Sequence, residues 1–95
     1  MDMLNFEWDP IKANKNLEKH NVSFKEAATV FADPLAETFY DPDHSQDEER
    51  YISIGNSEFN RVLVVVFTDR SDIIRLISAR EATKREQKNY EYGKE

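Results

Sequence analysis

Cysteine is absent from this chain of 95 residues, and glycine occurs only twice, at Gly55 and Gly93. Without thiols the protein can form neither a disulfide nor a thiolate metal site, so its stability has to come from packing, which suits a reducing compartment. Two isolated glycines exclude the glycine-rich loops that cradle nucleotide phosphates. No Ser-His-Asp or Cys-His arrangement is suggested by the order of the residues either.

Long apolar runs are also missing. No stretch approaches the roughly 18 residues that a membrane helix needs, and the N-terminus has neither the basic nor the apolar region of a signal peptide. We therefore expect a cytoplasmic protein with no membrane partner. The length fits a single domain over residues 1–95, with an ordered core at about residues 6–90 and a loose end at 91–95.

Positive charge is in the minority, since 13 Lys and Arg face 19 Asp and Glu and the net charge is −6. This balance argues against general affinity for nucleic acid, because phosphate binding depends on basic side chains. It leaves room for a local basic site, since charges are screened over roughly 8 Å at physiological salt. The distribution of the charges therefore matters more than their sum.

Capping residues predict two helices in the N-terminal third. Asp9, followed by a proline, is typical of a helix start, and this helix should end at about His20. Ser23 and Glu26 form a capping box that opens a second helix. The second helix should end before Asp33-Pro34, because the residue before a proline resists helical dihedral angles.

From residue 35 onward the apolar pattern has a period of two, which is typical of strands. The continuous apolar run at 62–67 indicates a central strand covered on both faces. Ser78 and Glu81 form another capping box, which predicts a C-terminal helix over about residues 79–91. The predicted strands cover residues 4–6, 35–40, 50–55, 61–68 and 73–78.

Lysines form a stripe along the first predicted helix. Lys12, Lys15 and Lys19 lie at i, i+3 and i+7, which places three ammonium groups on one side. The stripe suits either a track that binds phosphates or an ordinary solvated helix face. The last helix offers a similar choice, because Lys84 and Lys88 are surrounded by glutamates with which they can pair.

Two side chains are candidates for proton transfer. His20 lies on the core-facing side of the first helix, where it is either a hydrogen-bonded structural residue or an acid–base group that titrates near neutral pH. Glu49 adjoins Arg50 at the start of a strand and is a possible general base. Tyr90, near the C-terminus, could stack on a base or simply pack against the protein.

Three arginines are candidates for binding phosphate. Arg75 lies on the same strand face as two isoleucines, Arg80 falls where that strand meets the last helix, and Arg50 begins a neighbouring strand. If the three guanidinium groups approach one edge of the sheet, they can bind a phosphate and stabilise the extra charge of its pentavalent transition state. The alternative is that each arginine pairs with one of the many acidic residues.

The acidic loop at residues 41–49 resembles the opening of a calcium loop, but it lacks the required residues. Gln46 stands where a glycine is needed, and Ile52 stands where the bidentate glutamate should be. We expect no metal and no other cofactor. A solvated acidic loop of this kind could instead meet a basic segment of a protein partner.

The two ends of the chain together resemble the BrnT family. The resemblance rests on Phe6-Glu7-Trp8-Asp9-Pro10, on residues 19–27 and on Arg75-Leu76-Ile77-Ser78-Ala79-Arg80-Glu81-Ala82-Thr83, and it extends from about residue 6 to 90. Asp33-Pro34, Glu49-Arg50 and Ile54-Gly55 lie between them at plausible spacing. BrnT proteins are small ribonuclease toxins of bacterial type II toxin–antitoxin pairs, and each is neutralised by a BrnA antitoxin that carries the DNA-binding module.

The resemblance implies an α+β fold, similar to that of the RelE-type toxins. We expect an antiparallel sheet of about four strands, with two N-terminal helices and one C-terminal helix. The implied activity is metal-independent cleavage of RNA by attack of the ribose 2′-OH on the adjacent phosphorus. Operator DNA would be contacted only through a BrnA-type antitoxin.

Site roles follow from this implied reaction. The arginines would stabilise phosphate, His20 or Glu49 would transfer protons, and basic residues on the helices, with Tyr90, would hold the RNA. The alternative is an interaction module that binds the antitoxin and co-represses their operon, with weak or no nuclease activity. A basic cleft containing Arg50 and Arg80 would favour the enzyme, whereas arginines paired with acids would favour the module.

Overall fold

The computed structural model of the protein describes residues 4–44 and 47–93. The predicted loose end at 91–95 falls partly on residues 94 and 95, which lie outside this range, as do residues 1–3 and Ser45 and Gln46 of the acidic loop. Within the described ranges the chain forms three helices and one five-stranded sheet.

One short strand and two helices are followed by four strands in succession and a final helix. The strands are β1 (Asn5–Glu7), β2 (Glu37–Asp41), β3 (Arg50–Asn56), β4 (Val62–Arg70) and β5 (Ile73–Glu81). The helices are α1 (Pro10–His20), α2 (Phe24–Thr29) and α3 (Lys84–Tyr92), with short 3₁₀ turns at Val30–Ala32 and Pro42–His44.

The sheet has the strand order β1-β5-β4-β3-β2. β2 to β5 form a meander with the predicted antiparallel pairing, whereas β1 lies parallel to β5 and pairs Asn5 with Ile73. The α+β class is confirmed. The strand count is five rather than about four, and the sheet is mixed, because the N-terminal segment adds to the free edge of β5.

The predicted helix starts are confirmed by their caps. The Asp9 side chain accepts a hydrogen bond from the Ile11 N–H at 2.8 Å, and the Ser23 hydroxyl accepts one from the Glu26 N–H at 3.0 Å. Asn21 ends α1 in the left-handed region, with φ at 57°. An asparagine tolerates this conformation better than most residues do. The chain can therefore leave α1 at Asn21 and begin α2 after its N-cap, Ser23.

The hydrophobic core lies between the sheet and the layer formed by α1 and α2. Phe6 and Trp8 pack against this core, as expected of large apolar anchors: their rings contact Phe31 and Phe24 with centroids 5.3 and 6.1 Å apart. The buried core side chains are Val22, Phe24, Ala27, Val30, Leu63, Val65, Phe67, Ile74, Leu76 and Ala79.

The start of the last helix differs from the prediction. The capping box at Ser78 and Glu81 is wrong, because both residues belong to β5, whose pairing with β4 continues to Glu81. The helix begins after Thr83, which forms the capping box with Glu86. Both segments have the Ser/Thr-x-x-Glu pattern, and the backbone hydrogen bonds to β4 decide between them.

A bulge in β5 determines which of its side chains face away from the core. Val66 pairs with Ser78 and Phe67 pairs with Leu76, so Ile77 is an extra residue in β5. Alternation is broken there, and the faces exchange for the residues that follow. None of the three helices in the described ranges is long and apolar enough to cross a bilayer.

Candidate active site

A groove of about 450 Å³ lies on the sheet face opposite α1 and α2. Ile52, Val64 and Val66 contribute apolar lining from the two central strands β3 and β4. The charged and titratable side chains of the groove are Lys19, His20, Asp41, Arg50 and Arg80. Four of these five side chains carry basic or titratable nitrogen groups, although the whole chain is acidic.

His20 and Lys19 reach the groove from the C-terminal turn of α1. This turn is fixed by the buried side chain of Asn16, whose amide nitrogen donates to the carbonyls of Val22 and Ala79 at 2.9 and 2.8 Å. The Asn16 side-chain oxygen accepts from the Ala79 N–H at 3.0 Å. Asn16 thus pairs with β5 as a neighbouring strand would, and it holds the end of α1 beside the groove.

Arg80 enters the groove because of the bulge in β5. Its guanidinium makes a two-pronged contact with Glu86, from Nη1 to Oε1 at 2.7 Å and from Nη2 to Oε2 at 2.9 Å. Arg80 lowers the pKa of Glu86 to about 2, chiefly through these hydrogen bonds, and Glu86 in turn raises the pKa of Arg80. Both groups are therefore charged at neutral pH.

Arg50 and Asp41 approach the groove from the β2–β3 side of the sheet. The two residues are directly opposite each other in the register, and Asp41 is 8% exposed. Asp41 is a site residue that the sequence prediction missed, since it was assigned to the acidic loop. The period of two through Glu37 and Phe39 is the signal that could have placed Asp41 on the groove face.

The three arginines do not meet at one edge of the sheet. β3 and β5 run in the same direction, so Arg50 at the start of β3 and Arg80 near the end of β5 lie toward opposite ends of the groove. Arg75 is opposite Thr68, is not part of the groove lining, and contacts Glu7 at 3.5 Å. The structure brings Arg50 and Arg80 into one groove and leaves Arg75 outside it.

The other predicted site residues lie outside the groove. The Glu49 carboxylate accepts a hydrogen bond from the Tyr51 hydroxyl at 3.2 Å, and Tyr51 packs against the core on the opposite sheet face. Lys12, Lys84 and Lys88 are exposed on α1 and α3 and contribute nothing to the groove lining.

Tyr90 anchors α3 to the sheet. Its hydroxyl donates to Asp33 Oδ2 at 2.5 Å, and Asp33 also accepts from the Asn56 N–H at 2.8 Å. Burial and the hydrogen bond to Asp33 raise the pKa of Tyr90 to about 12. Because no residue of α3 is buried, this contact matters for holding the helix in place.

Replacing Tyr90 with phenylalanine should therefore destabilise the protein. A hydrogen bond to a charged group contributes roughly 1.5–3 kcal/mol, and we expect the low end of that range because the ring would stay in place. Thermal unfolding of Tyr90→Phe should show a lowered Tm. An unchanged Tm would show that the hydrogen bond from Tyr90 to Asp33 contributes nothing to stability.

The described residues contain no group of three or more His, Cys, Asp or Glu side chains that could hold a metal ion. The groove brings together cationic side chains, one imidazole and one buried carboxylate around an apolar floor. Arginine and lysine in a groove suit an anion such as a phosphodiester, and histidine beside them suits proton transfer.

Fold and site together define a small α+β protein with a basic groove on an otherwise acidic chain. The profile of the family described as "Ribonuclease toxin, BrnT, of type II toxin-antitoxin system" matches residues 8–86. The chain belongs to this BrnT family of ribonuclease toxins, and membership implies an antitoxin partner.

Structural comparison agrees with the family assignment. The protein is similar to the crystal structure of the Brucella abortus ribonuclease toxin BrnT, with a TM-score of 0.67 and 21% sequence identity, over 86% of this chain and 100% of that chain. At this level of identity the likeness supports the fold. No curated protein is significantly similar to the chain in sequence.

Proposed function

We propose that this chain is a metal-independent endoribonuclease toxin that acts as a single domain in the cytoplasm. A BrnA-type antitoxin would neutralise it, and the antitoxin would make the contacts with operator DNA. The observation that carries the proposal is the groove that Lys19, His20, Arg50 and Arg80 share. These residues come from three different elements, so their meeting is a property of the fold.

The groove can supply the groups that RNA cleavage requires. Attack of the ribose 2′-OH on the adjacent phosphorus needs a base for the hydroxyl proton, cations for the phosphorane and an acid for the leaving 5′-oxygen. Arg80 and Arg50 would provide charge at the phosphates, and Lys19 would hold the backbone of the RNA. Because guanidinium groups can stabilise the phosphorane themselves, the reaction need not use a metal ion.

Proton transfer falls to the titratable groups of the groove. His20 is the first candidate, since an imidazole can accept and return a proton near neutral pH. Asp41 joins it as a second candidate, because it is the carboxylate that lines the groove. Glu49 is the weaker choice, since its hydrogen bond to Tyr51 lies on the other side of the sheet.

The acidic composition does not contradict an RNA substrate. Among the residues that line the groove, Asp41 is the acidic one, and it faces two arginines, a lysine and a histidine. Glu48 and Glu26, by contrast, are paired with Arg70 and Arg61 outside the groove. At a screening length of roughly 8 Å, the groove can attract phosphate while the net charge stays negative.

A second candidate function is the antitoxin-binding co-repressor without strong nuclease activity. The ion pairs of Arg80 with Glu86 and of Arg75 with Glu7 favour it, since both arginines have an acidic partner. The basic groove favours the enzyme. Cleavage of RNA by the purified chain without its partner distinguishes the two candidate functions.

Cleavage of RNA by the pure chain in the presence of EDTA, with DNA left intact, is the expected result. Arg80→Ala should lower the rate about 100-fold, the typical effect of removing one donor to a transition-state oxyanion. Arg80→Lys should also be slow, because an ammonium group keeps the charge and loses the planar pair of donors. Initial rates on a fluorescently labelled RNA would measure both effects.

Lys25→Ala is the matched control, since Lys25 is an exposed cation on α2, which packs on the other face of the sheet. It should cleave at the wild-type rate. Arg80→Ala should unfold within a few degrees of the wild type, because a half-exposed ion pair contributes only about 0–1 kcal/mol. Intact RNA with a well-folded wild-type chain would favour the co-repressor.

A further inference from the structure

The donors of Arg80 are divided in a way that leaves one edge of its guanidinium available. A guanidinium has five N–H donors in a fixed plane. Nη1 uses both of its hydrogens, one toward Glu86 Oε1 at 2.7 Å and one toward the carbonyl of Glu81 at 3.3 Å. Nη2 uses one hydrogen toward Glu86 Oε2 at 2.9 Å. The end of the guanidinium is therefore fully occupied.

The side of the guanidinium is the part that remains. The Nε–H and the second Nη2–H point in the same direction, and no residue in the described ranges accepts a hydrogen bond from either of them. Two parallel N–H groups of this kind match the oxygens of a phosphate. Since Arg80 lines the groove, this pair of donors is where a phosphate of the substrate can bind.

Glu86 is itself held in a single position. Its Oε1 accepts a hydrogen bond from the Thr83 N–H at 2.9 Å, and its own N–H donates to Thr83 Oγ1 at 3.1 Å. This capping box fixes the carboxylate at the first turn of α3. The glutamate has little freedom to rotate, so it can transmit its orientation to the arginine.

We propose that Glu86 is a positioning residue for Arg80: it takes up the end of the guanidinium and leaves the Nε–Nη2 side for a phosphate of the RNA. The proposal rests on the function proposed above and deepens it, because it identifies the part of Arg80 that meets the substrate. It also explains why a paired arginine can still serve in catalysis. The carboxylate orients the donors instead of competing for them.

Glu86→Gln is the variant that tests this role. If its amide oxygen replaces Oε1, the cap on Thr83 is kept, but the amide nitrogen then faces Arg80 Nη2 and puts a donor against a donor. Small misplacement of a catalytic group can slow a reaction about 100-fold, and we expect kcat to fall roughly 10- to 100-fold with a smaller change in KM. Glu91→Gln is the control, because it makes the same carboxylate-to-amide change at an exposed position of α3 whose contact is with Gln87. It should keep kcat near the wild-type value.

A second measurement does not depend on cleavage. In ¹H–¹⁵N spectra, the Nε–H signal of Arg80, assigned by its loss in Arg80→Lys, should shift when inorganic phosphate is added to the wild type and to Glu91→Gln. The shift should be lost in Glu86→Gln. If the wild type cleaves no RNA, the proposed function fails, but the phosphate titration still decides the role of Glu86.

Two results would overturn the positioning role. One is an Arg80 Nε–H in the wild type that does not respond to phosphate. The other is a Glu86→Gln chain that matches or exceeds the wild type in kcat and keeps the phosphate shift, since Glu86 would then be a competitor of the substrate for Arg80.

Discussion

Glu26→Ala should lower the free energy of unfolding by about 3 kcal/mol, the low end of the range for breaking a buried ion pair. The Glu26 side chain is 4% exposed and contacts Arg61 Nη2 at 2.5 Å and Nε at 3.0 Å. It also accepts a hydrogen bond from the Ser57 hydroxyl at 2.7 Å. Since domains of this size have a total stability of roughly 5–15 kcal/mol, the loss is a large share of it.

The effect is large because Glu26 joins parts of the chain that are far apart in sequence. Through Arg61 it links α2 to the β3–β4 turn, to the carbonyl of Asn21 and to Glu81 at the end of β5. Removing the carboxylate leaves Arg61 charged and partly buried at 27% exposure. Urea unfolding followed by circular dichroism would measure the change.

Two further variants separate the charge from the shape. Glu26→Gln keeps the volume and should recover only part of the loss, because the amide cannot accept both guanidinium donors. The double variant Glu26→Leu with Arg61→Met removes both charges and should be more stable than Glu26→Ala. A Glu26→Ala chain as stable as the wild type would show that the pair contributes nothing to folding.

The same carboxylate gives a pH dependence of known sign. The hydrogen bonds from Arg61, followed by the one from Ser57, hold the pKa of Glu26 below its ordinary value of 4.5. A lowered pKa in the folded state means that the unfolded chain binds the proton more tightly. The contribution of Glu26 is therefore complete above about pH 4.5 and is lost as the pH falls through the lower folded-state value.

Asn16→Leu should be the next most damaging change, at about 2–3 kcal/mol, because it leaves buried backbone groups without partners. The leucine has nearly the same size but can neither accept from the Ala79 N–H nor donate to the carbonyls of Ala79 and Val22. Ala79 is 1% exposed, so water cannot replace the lost partners there. Chemical denaturation with urea would give the change in stability.

Asn16→Asp serves as the matched variant for this position. An aspartate can still accept from the Ala79 N–H, but it presents an acceptor to two carbonyl oxygens. We expect it to be as unstable as Asn16→Leu at neutral pH and to recover in part at low pH, where the carboxyl can donate once. Equal stability of the wild type and Asn16→Leu would mean that the three hydrogen bonds have no net value.

Local signals in the sequence were enough for the first two helices and for the central strands. Asp9, Ser23 and Asn21 act through contacts within a few residues, so their effect can be predicted without knowledge of the rest of the fold. The start of the last helix could not be decided in this way. Two similar caps compete there, and the outcome depends on pairing with β4, which is distant in sequence.

The candidate site was predicted only in part, because its geometry also depends on pairing between strands that are distant in sequence. Arg50, Arg80, His20 and Lys19 were identified by their chemistry, and the structure places all four in one groove. Asp41 was missed because its place depends on the register of strands that meet only after folding, and Arg75 lies outside the groove lining. Glu86 is one of the glutamates that were expected to pair with the lysines of the last helix, and its effect on Arg80 is visible only from individual donor atoms.

The bulge at Ile77 determines whether the two arginines of β5 lie on the same face of the sheet. Arg75 and Arg80 are an odd number of positions apart, and they share a face of the sheet only because one extra residue lies between them. If the same residues formed a regular strand without the bulge, Arg80 would turn toward the core and the small core residue Ala79 would turn away from it. Deleting Ile77 would also remove the bulge, but both arginines would keep their present face, because an even number of positions would then separate them. The number of residues in β5 and its bulge therefore have to match, whereas the surface turns of the same sheet can change length without turning a guanidinium into the core.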